Sequence, residues 1–136
     1  METQFSELLG KTILSINKQE DRIEFICEDE LSILKNVFIA YVMHHNQDCC
    51  ETVCIEDING DLDDLIGTPV LQAEERISSE NPEDFTKNNP DEYQDSFTWT
   101  FYHLATIKGY VTIRWYGESN GYYSENVDFY KENYKY

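Results

Sequence analysis

Arg114 is the residue best placed by type and spacing to do chemistry, because aromatic side chains recur around it at strand period. From Phe97 to Ile107, and again from Tyr110 to Tyr116, aromatic and β-branched residues alternate, with Lys108-Gly109 between the two runs. A period of two puts successive side chains on opposite faces of a strand. A two-residue turn at Lys108-Gly109 then sets Ile107 opposite Tyr110, His103 opposite Arg114 and Phe101 opposite Tyr116. One face carries Phe97, Trp99, Phe101, His103, Tyr110, Thr112, Arg114 and Tyr116. The other carries Thr98, Thr100, Tyr102, Leu104, Val111, Ile113 and Trp115, a good core face. Rings stack on a nucleobase for ~1–3 kcal/mol each, and a guanidinium forks onto phosphate. The same set would also serve as a packing surface or subunit interface, with Arg114 snorkelling or paired to a carboxylate.

Other clusters carry less. His44, His45, Cys49, Cys50 and Cys54 raise the question of zinc, but no second cysteine pair lies downstream to complete a tetrahedral set. Buried thiols are the expectation, and no metal is expected. Asp57, Asn59 and Asp61 match the first, third and fifth positions of a calcium loop. Leu62 then stands where that loop needs glycine, and Thr68 where it needs glutamate. Helix capping explains these acids better. There is no nucleophile elbow, phosphate loop or dinucleotide fingerprint, and a Cys49 or Cys50 pairing with His103 has no local signature. The expectation is a protein that is not an enzyme and needs no cofactor.

The elements that must position Arg114 read as an α+β fold: an antiparallel, strongly twisted sheet with a C-terminal three-stranded meander and one to three short helices. Phe5 to Leu9, before Gly10, and Asp61 to Ile66, before Gly67, are the helical candidates. Thr12 to Asn17 and Arg22 to Cys27 form a hairpin, and Leu31 to Met43 supplies one or two further strands. Thr52 to Glu56 and Pro69 to Ile77 read as extended. The meander is Phe97 to Ile107, Tyr110 to Tyr116 and, after a turn at 117–121, Tyr122 to Tyr130. All of 1–136 reads as a single domain, with residues 79–95, which hold Pro82 and Pro90, as a mobile loop. Phe85 is a lone apolar residue there, either anchoring the loop or closing over a ligand.

Composition narrows the partners. Against 10 Lys+Arg stand 27 Asp+Glu, a formal net charge of -17 in 136 residues. That surface repels nucleic acid and anionic membranes, and leaves room for a basic protein or a small anion held in a local basic pocket. Hydrophobic residues at 40% suffice for one modest core. The apolar run Val37 to Met43 is too short to span a bilayer, and Met-Glu-Thr-Gln-Phe-Ser-Glu has no signal-peptide character. Reduced thiols and a cytosolic location are therefore expected.

Two blocks carry a resemblance. One holds Gln47-Asp48-Cys49-Cys50-Glu51, Ile55-Glu56-Asp57-Ile58 and Gly60-Asp61-Leu62; the other runs from Thr100 through Ala105-Thr106-Ile107-Lys108-Gly109-Tyr110 and Arg114-Trp115-Tyr116-Gly117 to Ser124. Together they resemble a family of small phage proteins that includes the Thoeris anti-defence sponge. The resemblance implies a counter-defence protein in the host cell cytoplasm. Such a protein binds a cyclic ADP-ribose isomer made by a TIR-domain sensor and holds it intact, some members also holding cyclic oligonucleotides. It implies homodimers that can assemble into hexamers. Carried over, Arg114 meets the pyrophosphate, with Trp99, Phe101, His103 and Tyr116 around it. Arg22 is a second phosphate contact, Phe85 and Asn89 are loop contacts, and His45, Gln47 and Asp48 line the site or organise the turn.

A different class remains open: an acidic DNA mimic, or another protein-binding inhibitor of a host defence enzyme. The charge favours mimicry, but the carboxylates cluster in loops and mimicry leaves the Arg114 face without a role. A structural protein whose aromatic face is an interface is a third reading.

Overall fold

The computed structural model describes residues 2–29, 37–84 and 96–134. Eight strands follow in order: β1 Ile13–Gln19, β2 Arg22–Glu28, β3 Phe38–His44, β4 Thr52–Asn59, β5 Gln72–Ser78, β6 Ser96–Thr106, β7 Gly109–Ser119 and β8 Asp128–Tyr134. They form two four-stranded antiparallel sheets, ordered β1-β2-β3-β8 and β4-β7-β6-β5. Alternation along each strand sends one set of side chains inward. Ile23, Phe25, Cys27, Tyr41 and Met43 of the first sheet join Tyr102, Leu104, Val111, Ile113 and Trp115 of the second in one buried cluster. Across it the Trp115 indole Nε1 donates to Met43 Sδ at 3.4 Å.

The α+β expectation is overturned. The helical candidates are 3-10 turns of four residues, Phe5–Leu8 and Leu62–Leu65, and no longer helix occurs among the described residues. Four residues cannot repay the cost of nucleating an α-helix. Gly10 and Gly67, at φ of 81° and 93°, turn the chain away directly afterwards. What read as a helical stripe is a pair of plugs: Phe5, Leu8 and Leu65 sit in the core. In the second turn the Asp61 carboxylate caps the Asp63 N–H at 3.0 Å.

The meander is corrected in two ways. Thr106 pairs with Gly109, so the turn residues are Ile107-Lys108 and the register lies two residues from the expected one. Arg114 is opposite Phe101, and Tyr116 is opposite Trp99. A slip of two preserves which face each side chain takes, so the sorting into faces is unaffected. The third strand does not continue the hairpin. Gly117 to Ser119 remain in β7, and β8 crosses to the first sheet to pair with β3. The crossing is pinned from both sides. The Glu125 carboxylate accepts from the Thr98 and Ser119 hydroxyls at 2.8 and 2.5 Å, and the His45 Nδ1–H donates to the Asn126 carbonyl at 2.7 Å.

An N-terminal strap closes the seam between the edge strands β8 and β5. Glu2 bridges to Tyr130, the Thr3 N–H donates to the Phe129 carbonyl at 3.1 Å, and Phe5 then turns inward against Tyr102 and Phe129. No helix among the described residues is long and apolar enough to cross a membrane.

Candidate functional site

The outward face of the β4-β7-β6-β5 sheet gathers the aromatic set. Trp99 and Tyr116, cross-strand partners, pack with ring centroids 4.6 Å apart, and Phe97 stacks beside Tyr116 at 6.5 Å. The Arg114 guanidinium lies 5.2 Å from the Trp99 ring centre, within cation–π range. Trp99 is fully buried and its indole Nε1 donates to Asn81 Oδ1 at 2.9 Å. Asn81 comes from the segment after β5, so that segment folds back onto the sheet.

Arg114 is already engaged. Its Nε donates to Glu56, and its terminal nitrogen donates to Asp84 Oδ1 and Oδ2 at 3.0 and 3.3 Å. Glu56 sits where the β4–β7 register shifts between Ile55 and Asp57; this bulge re-aims the side chain toward Arg114. The hydrogen bond with Glu56, and that with Asp84, raise the Arg114 pKa further above its already high value, against burial. The hydrogen bond from Arg114 holds the Asp84 carboxyl below the usual aspartate range. The two carboxylates differ in accessibility: the Asp84 side chain is 69% exposed and the Glu56 side chain 30%.

Next along the same face, Phe101 and His103 lie ring-parallel at 6.3 Å and His103 stacks on Tyr110 at 6.1 Å. The His103 Nδ1 is 2.7 Å from the Tyr110 hydroxyl and 3.2 Å from that of Thr112, within hydrogen-bond distance of both. Burial first, then the charge of Arg76, lowers the His103 pKa, with Glu74 opposing. This favours the neutral, flat imidazole.

Other expected site residues lie elsewhere. Arg22 is on the outward side of the other sheet, bonded to Glu24 at 2.7 and 3.2 Å and to the Tyr130 hydroxyl at 3.1 Å, with Glu132 at 3.5 Å. His45 is buried between the Asn126 carbonyl and Glu51, whose Oε2 is 3.2 Å from its Nε2. Burial pushes the Glu51 carboxyl up, but the backbone N–H of Asp48, His45 and the N–H of Cys49 outweigh it and hold it low. Asp48 is exposed and enters this turn through its backbone, and the Gln47 amide donates to the Val53 carbonyl at 2.9 Å. These residues organise the turn before β4. Phe85 and Asn89 lie outside the described residues.

The cysteines differ from expectation. Cys49 and Cys50 are exposed and joined to each other, rather than buried as thiols; Cys27 is buried and outside any disulfide. Cys54, also free, is half-buried, and burial pushes its thiol pKa up, helped by Asp21, Glu56 and Glu118. Among the described residues no group of three or more His, Cys, Asp or Glu is placed to hold a metal ion.

Sequence reasoning missed Glu56, Asp84 and Asn81. The two acids are unremarkable in so acidic a chain, and only the bulge and the fold-back of the segment after β5 bring them to Arg114. Neither the curated proteins nor the solved structures include a match to this chain. The family described as Domain of unknown function (DUF7448) matches residues 6–129, and the chain belongs to that family.

Proposed function

We propose that this protein captures a cyclic nucleotide signal of the cyclic ADP-ribose type on the Arg114 face and holds it intact, as a counter-defence sponge in the host cytoplasm. The observation that carries the reading is the Arg114 guanidinium lying over Trp99, beside Tyr116, with its outer edge held by the exposed Asp84 carboxylate. A carboxylate there occupies the place a phosphate oxygen would take, as an anionic acceptor on one terminal guanidinium nitrogen. Capture then exchanges Asp84 for a ligand phosphate, while Glu56 keeps the guanidinium oriented. Phe101, His103 and Tyr110 supply the neighbouring ring surface for a base. The proposed species is a homodimer that can assemble further.

The test is capture and release. Purified protein is incubated with the product of a TIR-domain enzyme and a panel of cyclic nucleotides, freed of unbound ligand and heated. An intact cyclic ADP-ribose isomer, or a cyclic oligonucleotide, should emerge from the wild type. Arg114→Ala should retain none, and Asp84→Asn should bind more tightly, by about three- to tenfold for the loss of an exposed competing ion pair. Full retention by Arg114→Ala, or all nucleotides left in the filtrate, would overturn the reading and direct the search to a protein target.

A further inference from the structure

The chain has three arginines, and two of them stand in one row across the outward face of the second sheet. Arg76 of β5 pairs with Phe101 of β6, and Phe101 pairs in turn with Arg114 of β7. Residues directly opposite on neighbouring strands take the same face, so Arg76, Phe101 and Arg114 line up with the ring in the middle. Strands lie about 4.8 Å apart, which sets the two arginine backbones about 10 Å apart. Two arginine side chains span that distance from either side, so both forks reach one ligand lying over Phe101.

The three guanidiniums differ in their company. Arg114 is held by Glu56 and Asp84, and Arg22, on the other sheet, by Glu24 and Glu132. Arg76 is exposed and has no ion pair among the described residues. Its charge is therefore the one on this face that no carboxylate answers at contact. That charge is felt in the next row, where burial and then Arg76 lower the His103 pKa while Glu74 opposes.

This matters for what Arg114 can capture. A monophosphate arriving there replaces the Asp84 carboxylate, one anionic acceptor for another, and that exchange by itself gains little. Asp57, opposite Arg114 on β4, adds repulsion. A net gain needs a second cation that the ligand does not have to win from an acid, and Arg76 meets that need. We propose that Arg76 is a second anion-binding residue of this face. With Arg114 it takes two linked phosphoryl groups across Phe101, so the site selects diphosphates over monophosphates. The inference rests on the Arg114 face being the capture site, and it puts Arg76 in the role that Arg22, on the other sheet, cannot fill there. His103 and Tyr110, stacked in the adjoining rows, remain for a base.

The probes are AMP and ADP-ribose. Each carries one adenosine and the two have similar net charge near neutral pH, so a difference between them reports the second phosphoryl group. Both are titrated calorimetrically into the full chain at about 150 mM salt, where diffuse electrostatics are screened. ADP-ribose should bind about tenfold more tightly than AMP, the scale of one added hydrogen bond to a charged group. Arg76→Gln should remove that preference by weakening ADP-ribose about tenfold and leaving AMP nearly unchanged. Arg76→Lys keeps the charge without the fork and should restore the preference in part. Lys18→Gln removes an equal charge from the exposed end of β1 and should change neither affinity. Equal affinities in the wild type, a preference that survives Arg76→Gln, or an equal loss in Lys18→Gln would overturn the proposal. So would failure of both nucleotides to bind. The Arg114 reading is judged separately. A cyclic nucleotide retained by wild type and fully by Arg76→Gln, but lost in Arg114→Ala, sustains that reading and sinks this one. A diphosphate preference that depends on Arg76, with no cyclic nucleotide retained, does the reverse.

Discussion

Arg114 stacks on Trp99 while Glu56 and Asp84 share its N–H groups, so the proposed capture of an anion is an exchange of partners and not entry into vacant space. The Asp84 contact has a pH signature. Its folded pKa lies below the ordinary value of about 3.9, so the stabilisation is fully present above that value and is lost as pH falls through the depressed one. The difference in melting temperature between Asp84→Asn and wild type should stay constant from about pH 7 to 5, begin to shrink near about pH 4 and vanish only below the depressed folded value, as differential scanning calorimetry can read. His103 also favours its deprotonated form. Its folded pKa is below the ordinary histidine value near 6.5, so stability from this group is complete above that value and declines as acid protonates the ring. Imidazole NMR signals should titrate below the ordinary midpoint, and Arg76→Ala should move that midpoint upward. An unshifted midpoint in the variant would mean that burial alone sets it.

Among the elements, the β6–β7 hairpin and the crossing after it decide where every functional side chain points. Gly117 is the tight spot: a Cβ there would stand 2.6 Å from the backbone carbonyl of Glu125, which a backbone atom cannot readily yield. Gly117→Ala should therefore destabilise the fold by about 1–3 kcal/mol, read as a lower urea midpoint. Amide exchange should rise most over residues 120–127, because the crossing would be displaced from Thr98 and Ser119. The hairpin also explains why the expected faces survive an incorrect register. Gly109 invites a turn assignment, but it belongs to the strand and pairs with Thr106. The resulting error is an even number of residues, and parity is what fixes a face.

At the scale of the molecule, two sheets share one core and a strap seals one of the two seams where their edges meet. Phe5 is 4% exposed and lies between Tyr102 and Phe129, so it joins the layers where no strand does. Phe5→Ala should cost ~3–5 kcal/mol and expose the seam. Denaturant unfolding measures this directly, and a loss under about 1 kcal/mol would mean the strap is packed loosely.

The alternating residues 97–107 and 110–116 by themselves determined a hairpin with an aromatic–arginine face and an aliphatic face. Side-chain parity is local and survives a two-residue slip. Short extended runs and glycine stops likewise marked most strands and both 3-10 turns. Tertiary structure alone decided that Asp128–Tyr134 leaves its neighbour for the other sheet, because edge pairing depends on which partner is free and not on the strand's own residues. It also decided that Arg22 and Arg114 lie on separate sheets, and that His45 is buried as an organiser of the turn before β4. Most of all, it selected Glu56 and Asp84 from among 27 acidic residues as the partners of Arg114. A bulge and a fold-back set that choice, and a carboxylate's environment, unlike its charge, is not written in its identity.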